Sequence, residues 1–135
     1  MFSETRPEWL ISALACFKIN VVVVTQYATL GVQALSFGIN QTEASFVFAS
    51  GETLAKIETI LKEIPKVSHL IVFSDKFTQS YLKDFRLKSS NSSLKFVYSI
   101  NKVEEIGASS DKLAYKSPKI HNLAIIMYTS GMNNL

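Results

Sequence analysis

Apolar residues along the chain fall into short runs separated by turn-forming residues, and the runs have two different periods. Val21, Val22, Val23 and Val24, followed by Thr25, make a β-branched run without alternation, the pattern of a strand covered on both faces of a mainly parallel sheet. Residues 45–49, 69–73, 94–98 and 123–128 repeat that pattern and predict four further strands. Between them, residues 52–64 form an amphipathic helical stretch closed by Pro65. Residues 6–19 predict a helix that is apolar on almost every side, with Trp9 and Phe17 expected inside. Thr5 and Glu8 stand at the spacing of a capping box, in which each side chain satisfies a backbone donor at the helix start. Tyr81, Leu82 and Phe85 suit a short helix, residues 89–93 a surface loop and residues 109–119 a polar connection. Helical patterns alternating with strand runs predict βαβ units with right-handed crossovers, hence an α/β chain.

The 135 residues are 47% hydrophobic and 19% charged, within the range of folded domains. The formal charge of +3 is spread over basic residues standing singly or in small polar groups such as Lys83, Arg86 and Lys88. No dense stripe tracks a phosphate backbone, and nucleic-acid binding is not expected. Cys16 is the single cysteine, so no disulfide can form within one chain, and its apolar setting suits a small buried hydrophobe. Residues 1–8 lack the apolar core of a signal peptide, and no window approaches the roughly 20 apolar residues that cross a bilayer. The compartment is read as reducing.

Candidate chemistry concentrates at residues 123–131, where a strand pattern runs straight into Thr129, Ser130 and Gly131. In open α/β sheets ligands bind beyond the carboxyl ends of strands, where loop amides can point at an anion. Two hydroxyls donate hydrogen bonds, and a glycine lets the backbone come close. The tripeptide alone reads more readily as a plain turn, a preference that the strand before it narrows without closing, and no second glycine with Lys and Ser/Thr completes a Walker loop. His69 and His121 each precede or open a strand pattern and have no partner at metal-ligand spacing, so no metal site is expected. Glu52, Glu104, Glu105, Asp75 and Asp111 read as solvated surface carboxylates, and no catalytic residue is assigned.

Taken together, Glu4-Thr5-Arg6-Pro7-Glu8-Trp9, residues 15–17, Tyr27-Ala28-Thr29-Leu30-Gly31, Gly38-Ile39-Asn40 with Thr42 and Glu43, and Met127-Tyr128-Thr129-Ser130-Gly131 resemble, in this order, the long-chain acyl-CoA synthetases. The Tyr-Ala-Thr-Leu-Gly segment is similar to their animal branch. The resemblance implies part of the large N-terminal domain of an adenylate-forming enzyme, mainly parallel sheet with flanking helices, with residues 1–135 ending inside the phosphate-binding loop. Thr129, Ser130 and Gly131 match the opening of that loop; Met132 stands where Ser or Thr is expected.

The family implied activates a long-chain fatty acid with ATP and Mg2+ to an acyl-adenylate, then transfers the acyl group to CoA. It implies a place on the cytosolic side of the endoplasmic reticulum or another organelle membrane, reached through segments outside this sequence. Other readings stay open: a non-catalytic interaction module, an adenylating enzyme for a different acid, and an unrelated α/β nucleotide-binding domain. The chain by itself is expected to be inactive and to expose apolar surface and strand edges.

Overall fold

The computed structural model describes residues 1–74, 76–89, 91–110 and 114–129. Along the chain these form α1 (Pro7–Lys18), β1 (Val23–Thr25), α2 (Val32–Gln41), β2 (Phe46–Ser50), α3 (Leu54–Ile60) with a 3-10 turn at Leu61–Glu63, β3 (His69–Phe73), α4 (Gln79–Lys88), β4 (Phe96–Ser99), α5 (Ile100–Ser109) and β5 (Ile125–Met127). Each expected strand is present, β3 with the expected bounds and the others shortened or shifted by a residue or two. Every strand pairing is parallel: β2 and β4 flank β3, and β1 pairs with β5, Val23 opposite Ile125. Among the described residues no helix is long and apolar enough to cross a membrane.

The two sheets are joined through one residue. Phe2 forms parallel bridges to Gln26 after β1 and to Ala49 in β2. Its N–H donates to Phe48 O at 2.7 Å, and its carbonyl accepts from Ser50 N at 3.3 Å and from Thr53 Oγ1 at 2.9 Å. On the other side the Met1 carbonyl accepts from Gln26 N at 3.0 Å. The strands therefore follow the order β4, β3, β2, residues 1–2, β1, β5. The Phe2 ring lies in a core with Leu35 and Ile39 of α2, Ile57 and Ile60 of α3, Leu70 and Val72 of β3, and Leu82 of α4.

Several expectations change. Thr5 does not cap α1: Arg6 occupies the N-cap position without a side-chain cap bond, Pro7 opens the helix, and Glu8 is held by Arg6. Proline has no N–H to cap and its fixed φ suits the first turn, while a guanidinium offers a carboxylate two charge-assisted bonds that a threonine hydroxyl cannot match. Trp9 and Phe17 are only half-buried, and Leu10, Ile11 and Leu14 are 56%, 59% and 57% exposed. Only Ser12 and Ala13 of α1 are buried, so a helix apolar all round is covered along one narrow stripe. The strand readings divide similarly: β3 is buried from Leu70 to Phe73, as expected of a central strand, whereas Ile125 and Met127 of β5 are exposed.

Residues 89–93 are not simply a surface loop. Asn91 is buried and donates from Nδ2 to the carbonyls of Ile64 and Val67, at 2.9 and 3.3 Å, while its Oδ1 accepts from Ser93 N at 2.8 Å. One amide thus ties the turn before β4 to the turn before β3. The sequence pattern did not point to α2, whose inward face combines Leu35 and Ile39 with Ser36 and Gly38. A Cβ at Gly38 would collide with Nε2 of the buried Gln26, so the glycine is there for close approach between α2 and the end of β1.

Candidate functional site

A parallel sheet collects the exits of its strands along one edge, and here that edge carries the candidate residues. From β5 the chain passes through Tyr128 to Thr129, whose side chain is exposed. Tyr128 fixes the exit: its hydroxyl donates to Gln41 Oε1 at 2.7 Å and approaches the Gly38 carbonyl at 3.4 Å, anchoring the strand end on α2. Ser130 and Gly131, expected with Thr129 to face phosphate, lie outside the described residues, as do Asp75 and Asp111.

Beside this exit, β1 leads through Gln26 into residues 27–31. Lys56 of α3 holds that loop: Nζ donates to the carbonyls of Ala28 and Leu30, at 2.9 and 3.0 Å, and lies 5.8 Å from the Phe2 ring centroid. Sequence spacing gave no sign of this lysine, because its partners lie 26 and 28 residues away. On the same edge, Arg6 grips Glu8 through Nε and Nη2, both at 2.9 Å, reaches Glu52 at 3.9 Å and lies 5.8 Å from the Phe73 ring centroid.

The Arg6 hydrogen bonds are the main reason the Glu8 carboxyl is pulled down to about 2 from 4.5. A depressed acid stabilises the fold above its unfolded pKa, and that contribution disappears as pH falls through about 2. The pair is solvated, so it is worth at most about 1 kcal/mol. Carbon-detected NMR titration should find Glu8 below the ordinary glutamate value, and Arg6→Gln should raise it. A wild-type Glu8 titrating like an ordinary glutamate would break this account.

Two other sequence candidates, His69 and Glu105, make local contacts. His69 stacks between Phe46 and Phe96, with ring centroids at 4.2 and 5.0 Å, and Nδ1 meets Ser68 Oγ at 2.8 Å. Burial, then the nearby Lys95, lowers its pKa. Cys16 is half-buried and desolvation pushes its thiol up, away from reactivity. Glu105 is ion-paired with Lys102 at 2.8 Å on exposed α5. Among the described residues no three His, Cys, Asp or Glu side chains gather to hold a metal.

What this edge can offer is limited and definite: a hydroxyl on an exposed strand exit, an anchored tyrosine below it and a braced loop alongside. The family described as AMP-binding enzyme matches residues 1–132. Long chain acyl-CoA synthetase 8 of Arabidopsis thaliana is 31% identical over the whole chain, and Long-chain-fatty-acid--CoA ligase 1 of Cavia porcellus is 32% identical over 97% of it. The chain spans 18% of the length of each. Among solved structures, the A domain of carboxylic acid reductase from Segniliparus rugosus, in complex with AMP and a co-purified carboxylic acid, shares the fold with a TM-score of 0.78 at 18% identity, covering 96% of this chain and 22% of that one.

Proposed function

Because this chain belongs to the AMP-binding enzyme family, we propose that it forms part of the nucleotide-phosphate site of a long-chain fatty acid:CoA ligase. The observation that carries the reading is the parallel β1–β5 pair delivering an exposed Thr129 at the carboxyl edge, beside the loop braced by Lys56. The names of the curated relatives supply the substrate class.

In the proposed reaction a fatty carboxylate oxygen attacks the α-phosphorus of ATP and pyrophosphate leaves; the CoA thiol then attacks the acyl carbonyl and AMP leaves. Both nucleophile and target of the first step are anionic, so the site must align them and offset charge. Mg2+ would enter with the nucleotide. Thr129, with Ser130 and Gly131, donates hydrogen bonds that hold the phosphates in place. Tyr128 and Lys56 keep the two loops at a fixed separation through their bonds to α2 and to residues 28 and 30. The proposed setting is the cytosolic side of the endoplasmic reticulum or another organelle membrane.

The test grafts residues 1–131 in place of the matched segment of the guinea-pig ligase and measures ATP- and CoA-dependent thioester formation. Palmitate should be activated. Thr129→Ala should lower kcat/KM by roughly 10- to 100-fold, as expected for one charge-assisted hydrogen bond, and Gly131→Val should lower it further by blocking close backbone approach. A folded graft in which Thr129→Ala changes nothing sinks the site assignment; one that releases pyrophosphate only with short or aromatic acids sinks the substrate class.

A further inference from the structure

Residues 114–119, on the way into β5, run without helix, strand, turn or bend, and all of them are exposed. Among the described residues no backbone hydrogen bond holds residues 114–118, which lie outside every helix and strand, and the Ser117 hydroxyl has no partner. The chain has three prolines, and only Pro118 follows a residue with a hydroxyl; Pro7 follows Arg6 and Pro65 follows Ile64. Proline drives the residue before it into an extended conformation. Ser117 is thus presented on an extended segment that another protein's groove can take up without a backbone bond being broken.

Basic groups already surround this serine. Lys116 and Lys119 flank it in sequence. Lys18, the last residue of α1, comes from elsewhere in the fold: its Nζ stands 5.7 Å from the centroid of the Tyr115 ring. Side chains two apart on an extended run leave on the same side, about 7 Å from each other. Ser117 therefore shares a side with Tyr115, within the sweep of the exposed Lys18 side chain. A ring face holds an exposed ammonium only weakly, whereas a phosphate offers it opposite charge and three acceptor oxygens.

We propose that Ser117 is a phosphorylation site for a proline-directed serine kinase using Mg2+ and ATP, and that its phosphate is then held by Lys18. In the kinase Ser117 Oγ attacks the γ-phosphorus of ATP, the bond from that phosphorus to the β,γ-bridging oxygen breaks, ADP leaves, and the hydroxyl proton passes to the kinase's catalytic base. The product carries a charge of about −1.5 to −2 at neutral pH, which draws Lys18 from the Tyr115 ring. Lys18 ends the helix that leads into β1, and residues 114–124 lead into β5, so the new ion pair ties together the entries of two paired strands. The inference does not depend on the adenylating reading.

The full chain is incubated with a mitogen-activated protein kinase, Mg2+ and ATP, and the modified residue is located by mass spectrometry. The expected result is a phosphoryl group on Ser117 and none on Ser117→Ala. Pro118→Ala should be modified at least about tenfold more slowly, the effect of emptying an apolar pocket that reads the ring. The phosphorylated chain is then titrated by phosphorus NMR beside a phosphopeptide of residues 114–122, which keeps Lys116 and Lys119 and lacks Lys18. The second phosphate ionisation should lie about 0.3 of a pH unit or more lower in the chain than in the peptide, because a nearby ammonium favours the dianion. Lys18→Gln should cancel that difference. Phosphate on Tyr115 or on other serines and threonines with Ser117 left bare overturns the site, as do equal rates for Pro118→Ala. A titration that superimposes on that of the peptide, or one that Lys18→Gln leaves unmoved, overturns the docking on Lys18.

Discussion

Replacing Phe2 with alanine should destabilise the chain by about 3 to 5 kcal/mol, the range for truncating a fully buried phenylalanine. The side chain is 1% exposed and packs among residues of α2, α3, β3 and α4. Its backbone bonds to Phe48, Ser50 and Thr53 survive the substitution, so the loss isolates the ring. Against a typical total of about 5 to 15 kcal/mol, that is roughly a fifth of the stability or more. Because residues 1–2 are the only segment paired with both sheets among the described residues, exchange protection should fall first in the β1–β5 pair. Phe2→Leu, which keeps most of the volume, should cost about 1.5 kcal/mol or less. Urea denaturation read by circular dichroism gives the totals; a Phe2→Ala loss below about 1 kcal/mol would mean the core does not need this ring.

Asn91→Leu should cost about 2 to 4 kcal/mol, although leucine is apolar and the site is buried. The change removes the side-chain donor to the Val67 carbonyl and the acceptor for Ser93 N. The buried Val67 carbonyl and the half-buried Ser93 N–H, left unmatched at about 1 to 3 kcal/mol each, outweigh the gain from an apolar side chain. The Ile64 carbonyl is less affected, since Val67 N still donates to it at 3.1 Å. Asn91→Asp should be at least as harmful near neutral pH, because it points a carboxylate at two carbonyl oxygens. Both are checked by urea titration, with exchange at residues 64–67 as the local readout. A change within about 0.5 kcal/mol, the surface range, would show that water replaces the amide without loss.

For the candidate site, the chain order Tyr128-Thr129-Ser130-Gly131 was readable because a strand followed by hydroxyls and glycine is a local pattern. The bracing by Lys56 was not, since its carbonyl partners at residues 28 and 30 become neighbours only when α3 packs beside the end of β1. Gln26 and Gly38 are linked in the same way, through close approach across 12 residues that no periodicity records.

The sequence by itself determined the α/β class, the parallel strands and the principal helices α1, α3 and α4, because β-branched runs and helical spacing are properties of neighbouring residues. It also carried the order of motifs that marks the family. Tertiary structure alone decided which apolar residues are covered. Leu70 to Phe73 are buried between two strands, whereas Leu10, Ile11 and Leu14, no less apolar, lie on a helix with packing on one stripe. It decided that α2 forms despite Gly38, that Asn91 lies inside rather than on a loop surface, and that Phe2 joins two sheets. The physical reason is common to all of these: burial, amide satisfaction and strand pairing depend on groups far apart in the chain, and a residue's own chemistry sets what it needs but not which partner meets that need.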